Sequence, residues 1–299
     1  MIFRITSRKL SHIAKFVPKS QPVTNQDIEE LAEFIKKSQN LLVLTGAGIS
    51  TESGIPDYRS EEVGLYARSN RRPVDYQQFK KYTHIRQRFW ARNHVGWKNF
   101  SSTQPNISHK ILSKWEKEKK MNWLITQNVD SLHTKAGSVN VTELHGCSFR
   151  VICMVCHWSI SRKELSQSIE LLNPNWSAET EEIAPDGDVL ISDDLVKKFN
   201  PPCCKSCGGE LKPDVVFFGD NVKKPIVDNC MKKLAESDAF LVLGSSLEVY
   251  SGYRFLKRAS EYGKPIGIVN IGKTRGDHLA QIKIDAQCGT ILQAVDNML

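Results

Sequence analysis

The chain has 299 residues, 40% of them hydrophobic, which allows one large domain with a smaller insert or two domains of moderate size. Its most apolar runs, such as Ala239–Leu243, are only as long as a β-strand, so we expect a soluble protein without a membrane span. The formal net charge is +8, but five of the 41 basic residues lie in the first 26 positions, which contain no acidic residue. The rest of the chain has 36 basic and 33 acidic residues, and this near balance of charge argues against a nucleic-acid partner.

The first 26 residues have a composition of their own. They are basic and serine-containing, and their apolar residues form a stripe if the segment is helical, which is typical of a mitochondrial transit peptide. We therefore predict that residues 1–26 are a transit peptide and that the mature protein lies in the mitochondrial matrix. The alternative is a solvated tail that carries no targeting signal.

Short apolar runs alternate with helical patterns from residue 27 onwards. Thr24 or Asn25 can cap a helix that ends near residue 38. The predicted strands are Leu41–Leu44, Trp123–Thr126, Val215–Phe218, Phe240–Leu243 and Ile266–Ile271, and later helices are predicted for Lys224–Ser237 and Tyr253–Tyr262. Strands and helices in alternation predict an α/β fold, with a Rossmann-like parallel sheet and helices on both faces.

The alternation breaks between residues 146 and 212. This segment contains paired cysteines and an acidic stretch with little periodicity, and a second irregular segment spans about residues 55–105. We therefore predict a Rossmann-like domain formed by residues 27–145 and 213–299, a zinc-binding insert at 146–212, and a helical part of the small domain at about 55–105.

A glycine-rich loop, Thr45 to Ser50, follows the first predicted strand. Glycines at Gly46 and Gly48 let a backbone approach a pyrophosphate, and a following helix presents free amides, so the loop is typical of a nucleotide site. A tight turn without a ligand is the alternative. A dehydrogenase fingerprint needs a further glycine at position 51, where Thr51 stands.

Four of the eight cysteines have the spacing of a zinc site. They form two C-x-x-C pairs, Cys153 with Cys156 and Cys204 with Cys207, which together supply four thiolates and predict one structural zinc ion. The alternatives are a redox pair or unrelated cysteines. Cys203 could compete with Cys204 as a ligand, although only Cys204 preserves the spacing.

Polar residues follow the predicted strand that ends at Thr126. Gln127 to Asp130 should therefore lie at the carboxyl edge of the sheet, where open α/β folds bind ligands. His145 comes soon after and suits a general base, because a histidine pKa lies near working pH. It could equally be an ordinary structural histidine, and His133 is a nearby competitor for the role.

Taken together and in order, these motifs resemble the sirtuin family, and most closely its mitochondrial class II branch. The resemblance spans about residues 27–299 and is carried by Gly46–Ser50, Gly54–Arg59, Gln127–Asp130, His145-Gly146, the cysteine pairs, Lys212–Gly219, Gly244–Leu247 and Val269–Gly272. It implies an NAD-binding sheet domain beside a zinc domain, with an acylated lysine in the cleft between them. NAD is consumed in that chemistry, and nicotinamide and O-acyl-ADP-ribose are released.

The resemblance also implies roles for single residues. His145 would deprotonate the ribose, Asn128 would position the ribose and a water, and Ser245 would meet phosphate. Asp130 and Ile55 would hold the carboxamide, Asp57 and Arg59 would order the loop above the reaction centre, Asn270 would bind the adenosine ribose, and the backbone of Cys288 would face the adenine. The other residues assigned to the cofactor site are Gly46, Ala47, Gly48, Ser50, Tyr58, Gln127, Val129, Gly244, Ser246, Ile271 and Gly272.

The sequence departs from the commonest sirtuin pattern at Tyr58, usually phenylalanine, and at Ser245, usually threonine. The tyrosine and arginine that grip acidic acyl chains in desuccinylase relatives lie three residues apart, whereas Tyr66 and Arg68 miss that spacing by one. Simple acetyl removal is therefore not assured, and the resemblance suggests longer or branched acyl groups of the lipoyl, biotinyl and methylglutaryl types. Arg68, Arg71 and Arg72 are candidates to bind an acidic acyl end, although each fits a solvated basic loop better.

The resemblance further implies partners, namely acylated lysines of mitochondrial metabolic enzymes, including lipoyl-bearing dehydrogenase complexes and glutamate dehydrogenase. Protein mono-ADP-ribosylation at the same site is the alternative activity. A zinc-ribbon binding module on an inert domain is a further alternative, which the near-neutral charge disfavours. A hydride-transferring dehydrogenase is disfavoured by Thr51.

Overall fold

The computed structural model describes residues 15–180 and 184–299. Most of the predicted transit peptide, residues 1–14, lies outside the described residues. Of the remainder, Phe16 is 2% exposed and its ring lies 5.0 Å from the guanidinium carbon of Arg68. Within the described ranges, none of the helices combines the length and the apolar character needed to cross a membrane.

Two sheets organise the described chain. The strands are β1 Leu41–Thr45, β2 Met121–Thr126, β3 Val141–Glu143, β4 Gly146–Cys153, β5 Ser159–Ser161, β6 Leu211–Val215, β7 Ala239–Leu243, β8 Ile266–Val269 and β9 Ile282–Ile284. The large sheet has the order β3-β2-β1-β7-β8-β9 with parallel pairing throughout, and the small sheet has the antiparallel order β5-β4-β6. The predicted Rossmann-like parallel sheet is therefore confirmed.

Helices connect the strands and cover both faces of the large sheet. They are α1 Asn25–Lys37, α2 Leu65–Arg68, α3 Tyr76–Lys81, α4 Thr83–Ser102, α5 Ile107–Lys117, α6 Leu132–Lys135, α7 Arg162–Leu172, α8 Asp193–Lys197, α9 Lys224–Glu236, α10 Tyr250–Glu261 and α11 Cys288–Asp296, with 3₁₀ helices at Ala47–Ser53 and Asp277–Leu279. Of the two residues predicted to cap α1, Thr24 does so, and it forms a capping box with Asp27.

The large sheet is buried on both faces. Each residue of β1 and β7 is buried, because one face packs against α1, α5 and α11 and the other against α9 and α10. This explains why both strands are continuous apolar runs instead of alternating patterns. Strand order reverses between β1 and β7, so the loops at their carboxyl ends separate and open a crevice there.

The predicted parallel strand Val215–Phe218 is wrong. The strand in this region is β6, which ends at Val215 and pairs antiparallel with β4 in the small sheet. The apolar run after it packs as an aromatic cluster: the Phe217 ring lies 5.1 Å from Phe79 and 5.4 Å from Phe89. An aromatic cluster satisfies an apolar run as well as a buried strand does. Strand β6 also continues across the predicted domain boundary between residues 212 and 213.

Candidate functional site

A cleft of about 1300 Å³ opens at the carboxyl ends of β1, β2, β7 and β8, beside the small sheet. The structure brings every residue that we assigned to catalysis or cofactor binding to its walls. They are Gly46, Ala47, Gly48, Ser50, Ile55, Asp57, Tyr58, Arg59, Gln127, Asn128, Val129, Asp130, His145, Gly244, Ser245, Ser246, Asn270, Ile271, Gly272 and Cys288.

The glycine-rich loop lies against the loop that follows β7. The N–H of Gly48 donates to the carbonyl of Gly244 at 2.9 Å, and a Cβ at Gly48 would lie 2.8 Å from that oxygen. A Cβ at Gly46 would lie 2.7 Å from Cβ of Ser245. The two glycines are therefore required by loop packing, in addition to any approach to a ligand. Gly46 caps a short 3₁₀ helix, Ala47–Ser53, and Gly48 lies in its first turn.

Polar side chains after β2 form a network with this loop. The Ser50 hydroxyl donates to Asp130 Oδ2 at 2.7 Å, and Asn128 Nδ2 donates to Ser50 Oγ at 3.0 Å and to the Gly46 carbonyl at 3.1 Å. Asp130 is 4% exposed, and burial raises its pKa against the opposing hydrogen bonds from Leu132 N–H and Ser50. Asn128 is therefore held in one orientation at the cleft wall.

Gln127 links the β2 edge to the β7 edge. Its Nε2 donates to Ser245 Oγ at 2.8 Å and its backbone N–H donates to the Thr45 carbonyl at 2.9 Å. A Cβ at Gly252 would lie 2.4 Å from Gln127 Oε1, so helix α10 packs directly on this amide. Ser245 thereby faces the cleft with its hydroxyl already held.

His145 lies between β3 and β4, where the chain passes from the large sheet to the small one. Its Nδ1 is 2.9 Å from the carbonyl oxygen of Gln127 and its Nε2 is 2.7 Å from the hydroxyl oxygen of Ser251. Burial lowers the pKa of His145, the Gln127 hydrogen bond opposes that shift and the charge of Arg254 adds to it. The imidazole is therefore neutral at neutral pH, as a general base must be.

His133, the competing histidine, does not line the cleft. It is 2% exposed, and its Nε2 lies 3.0 Å from the Thr45 hydroxyl behind the sheet edge. Burial lowers the pKa of His133 to about 3. His133 is thus a buried neutral group and no candidate for the base.

The segment after the 3₁₀ helix forms a loop over the cleft. Asp57 Oδ1 accepts from the N–H groups of Arg59 and Ser60 at 3.0 and 2.8 Å, which fixes the turn. The Tyr58 ring lies 5.8 Å from Tyr66 and 6.1 Å from Phe218. This loop therefore contacts the aromatic end of the segment that follows β6.

The opposite end of the cleft is formed after β8 and β9. Asn270 Nδ2 donates to the Ile271 carbonyl at 2.8 Å, and Gly272 N–H donates to Asp285 Oδ2 at 3.1 Å. Cys288 is buried at the start of α11, and burial raises the pKa of its thiol. A buried thiol of this kind contributes shape and a backbone, without reactivity.

The three candidate arginines for an acidic acyl end already have partners. Arg68 Nε donates to the Val63 carbonyl at 2.7 Å, Arg71 forms a 2.8 Å ion pair with Asp188, and Arg72 lies 4.6 Å from the Tyr66 ring centre. The residues that line the cleft do not include any of the three. These three arginines therefore do not supply a site for an acidic acyl end in the cleft.

The four predicted zinc ligands meet at the end of the small sheet. All four Sγ atoms lie within 4.8 Å of one another, with Cys153 to Cys207 at 3.6 Å and Cys156 to Cys204 at 3.7 Å. Four sulfurs at about 2.3 Å from one ion would lie about 3.8 Å apart, so the cluster fits tetrahedral zinc with no open position. Cys203 is exposed and lies outside the cluster.

Several cleft residues were not predicted from the sequence. Ser251 and Arg254 come from the first turns of α10, Glu52 accepts from Gly289 N–H at 3.1 Å, and Asp186 reaches the cleft from the insert. Ser251 and Arg254 follow a strand of the parallel sheet, and that position was the available signal. The approach of Asp186 depends on how the insert folds and has no local signal.

The cleft has the features that a dinucleotide needs. The backbone at Gly272 has φ +79° and a Cβ there would meet no atom within 4 Å, so the chain is open to the cleft at this point. Held hydroxyl and amide groups of Ser245 and Asn128 face the same space, and the long cleft runs from Asn270 to His145. The residues present therefore fit NAD.

Comparisons with known proteins identify the same architecture. The Sir2 family model matches residues 46–251. A Bos taurus protein and a Homo sapiens protein, both named NAD-dependent protein lipoamidase sirtuin-4, mitochondrial, are each 56% identical to this chain, covering 94% and 95% of it and 89% and 90% of their own lengths. A Drosophila melanogaster protein named NAD-dependent protein deacylase Sirt4 is 51% identical over 97% of this chain and 93% of its own. A solved structure described as Sir2 with a p53 peptide and NAD+ superimposes with a TM-score of 0.72 at 26% identity, covering 91% of this chain and 98% of its own.

Proposed function

This chain belongs to the Sir2 family, and from that membership and the geometry of the cleft we propose that it is an NAD-dependent protein-lysine deacylase. One observation carries the proposal. The Gln127 carbonyl holds Nδ1 of His145, so the basic Nε2 faces Ser251 on the wall of the cleft that Asn128 and Asp130 also line. This places a neutral base beside groups that can hold a ribose and a carboxamide.

When bound, NAD supplies a ribose carbon that exchanges nicotinamide for the acyl oxygen. The residues of the chain orient and protect that centre. Asn128 is fixed by Ser50 and Gly46 to face the ribose, buried Asp130 faces the carboxamide together with Ile55, and Asp57 keeps the Tyr58–Arg59 loop folded above them. His145 takes the ribose proton, and the enclosed site limits attack by water.

The adenosine side of the cofactor is held by the second half of the sheet. We assign phosphate contacts to Ser245 and neighbouring amides of Gly46–Gly48 and Gly244–Ser246, the adenosine ribose to Asn270 with Ile271 and Gly272, and the adenine to the backbone at Cys288. Gln127 and Val129 complete the wall between the two halves. The placement of these residues along one cleft supports the assignment.

For the acyl group we propose lipoyl, biotinyl and methylglutaryl chains in preference to acetyl. The names of the 56% identical bovine and human proteins describe lipoamidases, which supports the first of these. The arginines near the loop are engaged with Val63, Asp188 and Tyr66, which supports the two neutral chains, lipoyl and biotinyl, and does not support methylglutaryl, which ends in a carboxylate. The same names favour deacylation over mono-ADP-ribosylation of proteins.

We propose that the enzyme acts in the mitochondrial matrix on acylated lysines of metabolic enzymes, including lipoyl-bearing dehydrogenase complexes and glutamate dehydrogenase. The word mitochondrial in the names of the bovine and human relatives supports the compartment. The basic, acid-free composition of residues 1–26 is consistent with import. A fusion of these residues to a reporter, followed by organelle fractionation, tests this proposal.

A panel of peptides that differ only in the lysine acyl group tests the activity. We expect NAD-dependent release of nicotinamide, free lysine and O-acyl-ADP-ribose, with the highest kcat/KM for lipoyl-lysine. His145→Gln should reduce turnover by about 10² to 10⁴-fold, the range for loss of a general base. Transfer of ADP-ribose from labelled NAD to a protein without loss of the acyl group would overturn the proposal. Normal turnover by the His145→Gln enzyme would also overturn it.

A further inference from the structure

The hydrogen bonds of His145 fix its tautomer. A carbonyl oxygen can only accept, so Nδ1, 2.9 Å from the Gln127 carbonyl, carries the ring proton. The neutral ring then has an unprotonated Nε2, which lies 2.7 Å from Ser251 Oγ. The Ser251 hydroxyl must therefore donate to Nε2. The lone pair on Nε2, which acts as the base, therefore already accepts a hydrogen bond from Ser251.

Ser251 is itself a wall of the cleft. It is the second residue of α10, half-buried, and its position is fixed because α10 packs on Gln127 through Gly252. Arg254 lies one turn further along α10, lines the same cleft, and is the charged group that faces the imidazole. One helix therefore brings a hydroxyl and a positive charge to His145.

We propose that Ser251 relays the proton between the ribose hydroxyl of bound NAD and His145, an inference that rests on the deacylase function proposed above. The ribose O–H bond breaks and its proton passes to Ser251 Oγ, while the Ser251 O–H bond breaks and its proton passes to Nε2 of His145. The ribose oxygen keeps the electron pair and uses it to attack the acyl carbon. Ser251 ends as a hydroxyl and His145 as an imidazolium, so the transfer balances.

The geometry favours the relay over direct transfer. Direct transfer to Nε2 requires the 2.7 Å bond from Ser251 to break first, in a site where burial strengthens hydrogen bonds. The relay moves a proton along that hydrogen bond without separating Ser251 from His145, and it needs only a ribose hydroxyl within reach of Oγ. Arg254 opposes the imidazolium and so favours return of the proton after acyl transfer.

Steady-state and single-turnover kinetics test the relay with three variants. Ser251→Ala should lower kcat for acyl transfer by about 10- to 100-fold with little change in KM for the peptide, whereas nicotinamide exchange, which precedes the need for the base, should persist. Ser251→Thr keeps the hydroxyl and should restore most of the turnover. Ser260→Ala, a matched change near the other end of α10, should behave as wild type.

Histidine ¹⁵N NMR of the NAD-free protein provides a readout independent of turnover. Wild type should show a protonated Nδ1 and a hydrogen-bonded Nε2. In Ser251→Ala the neutral ring loses a donor, so the pKa of His145 should rise and the acid limb of the kcat profile should move to higher pH. Ser251→Thr should retain the wild-type pKa.

The outcomes separate the two proposals. Normal kcat in Ser251→Ala together with an unchanged His145 pKa would show that Ser251 is only displaced by substrate, and the relay would be wrong although the deacylase function stands. Absence of nicotinamide release with every acyl peptide, in wild type as in the variants, would overturn both. Slow acyl transfer with intact nicotinamide exchange and a raised pKa supports both.

Discussion

The large sheet and the small sheet are stabilised in different ways. In the large sheet, β1 and β7 are buried between two helical layers, and the core on each face consists mainly of aliphatic residues. The small sheet has three strands, a smaller core around Trp90, and four thiols gathered at one end. The site lies between them, with His145 at the connection. Burial alone can order the first region, whereas the second needs a metal ion as well.

Removing a zinc ligand is the strongest way to separate the two regions. We expect Cys204→Ser to lose zinc, to unfold the small sheet and to abolish deacylation, because zinc binding contributes on the order of 10 kcal/mol in small zinc domains. Zinc content by mass spectrometry and turnover of an acyl peptide are the measurements.

Cys203→Ser is the matched control, since the neighbouring thiol is exposed and outside the cluster. It should keep one zinc per chain and full activity. A metal-free Cys204→Ser protein with normal turnover would mean that the small sheet is stabilised without the ion.

The difference between the regions also explains how much the sequence could predict. Runs such as Phe240–Leu243 were identifiable because a strand buried on both faces is apolar throughout, and the cysteine pairs because their spacing is local. Val215–Phe218 was misassigned because its apolar residues serve an aromatic cluster. The sequence did not predict the short strands β3 and β9, since three residues, all half-buried in β3 and two of them half-buried in β9, carry almost no periodic signal.

The candidate site follows the same division. Its residues on the carboxyl edge of the large sheet could be predicted because parallel strands bring their ends together. The contact of His145 with Ser251 joins residues 106 positions apart and depends on how α10 packs. Asp186 likewise reaches the cleft only through the path of the insert. Such long-range packing leaves no motif in a single sequence.

In the large region, Gly48→Ala tests whether the glycine loop is required by packing. A Cβ there would lie 2.8 Å from the Gly244 carbonyl, so the two loops must separate. We expect a loss of about 2 to 4 kcal/mol in the free energy of unfolding, measured by urea denaturation. Gly263→Ala, where a Cβ meets no atom but φ is +64°, should cost only about 1 kcal/mol. Equal losses for the two variants would contradict the packing argument.

Acid should weaken the large region through His133. Burial lowers its folded pKa to about 3, whereas the unfolded value is about 6.5. Between these two pKa values only the unfolded chain binds the proton. The free energy of unfolding is therefore unaffected above pH 6.5, and below pH 6.5 it decreases by about 1.4 kcal/mol for each pH unit. His133→Gln keeps a donor for Thr45 and cannot titrate. In urea denaturation between pH 7 and 4.5, the free energy of unfolding of this variant should therefore fall less steeply with decreasing pH than that of the wild type. The exposed His278→Gln should leave the slope unchanged, and an equal change in both variants would exclude His133 as the cause.

The smallest effect is expected where the two sheets are joined by charge. Arg150 on β4 contacts Glu143 of β3 at 2.8 Å and Asp214 of β6 at 3.1 Å, and its side chain is half exposed. Because solvent and salt screen such pairs, Arg150→Ala should reduce the free energy of unfolding by about 0.5 to 1 kcal/mol, and the difference should shrink in 1 M salt. Denaturation at low and high salt measures both. A loss of several kcal/mol that persists in salt would mean that both sheets depend on Arg150 for packing. The stability of the large sheet, which burial of β1 provides, would then be coupled to the stability of the small sheet, which the cysteine cluster provides.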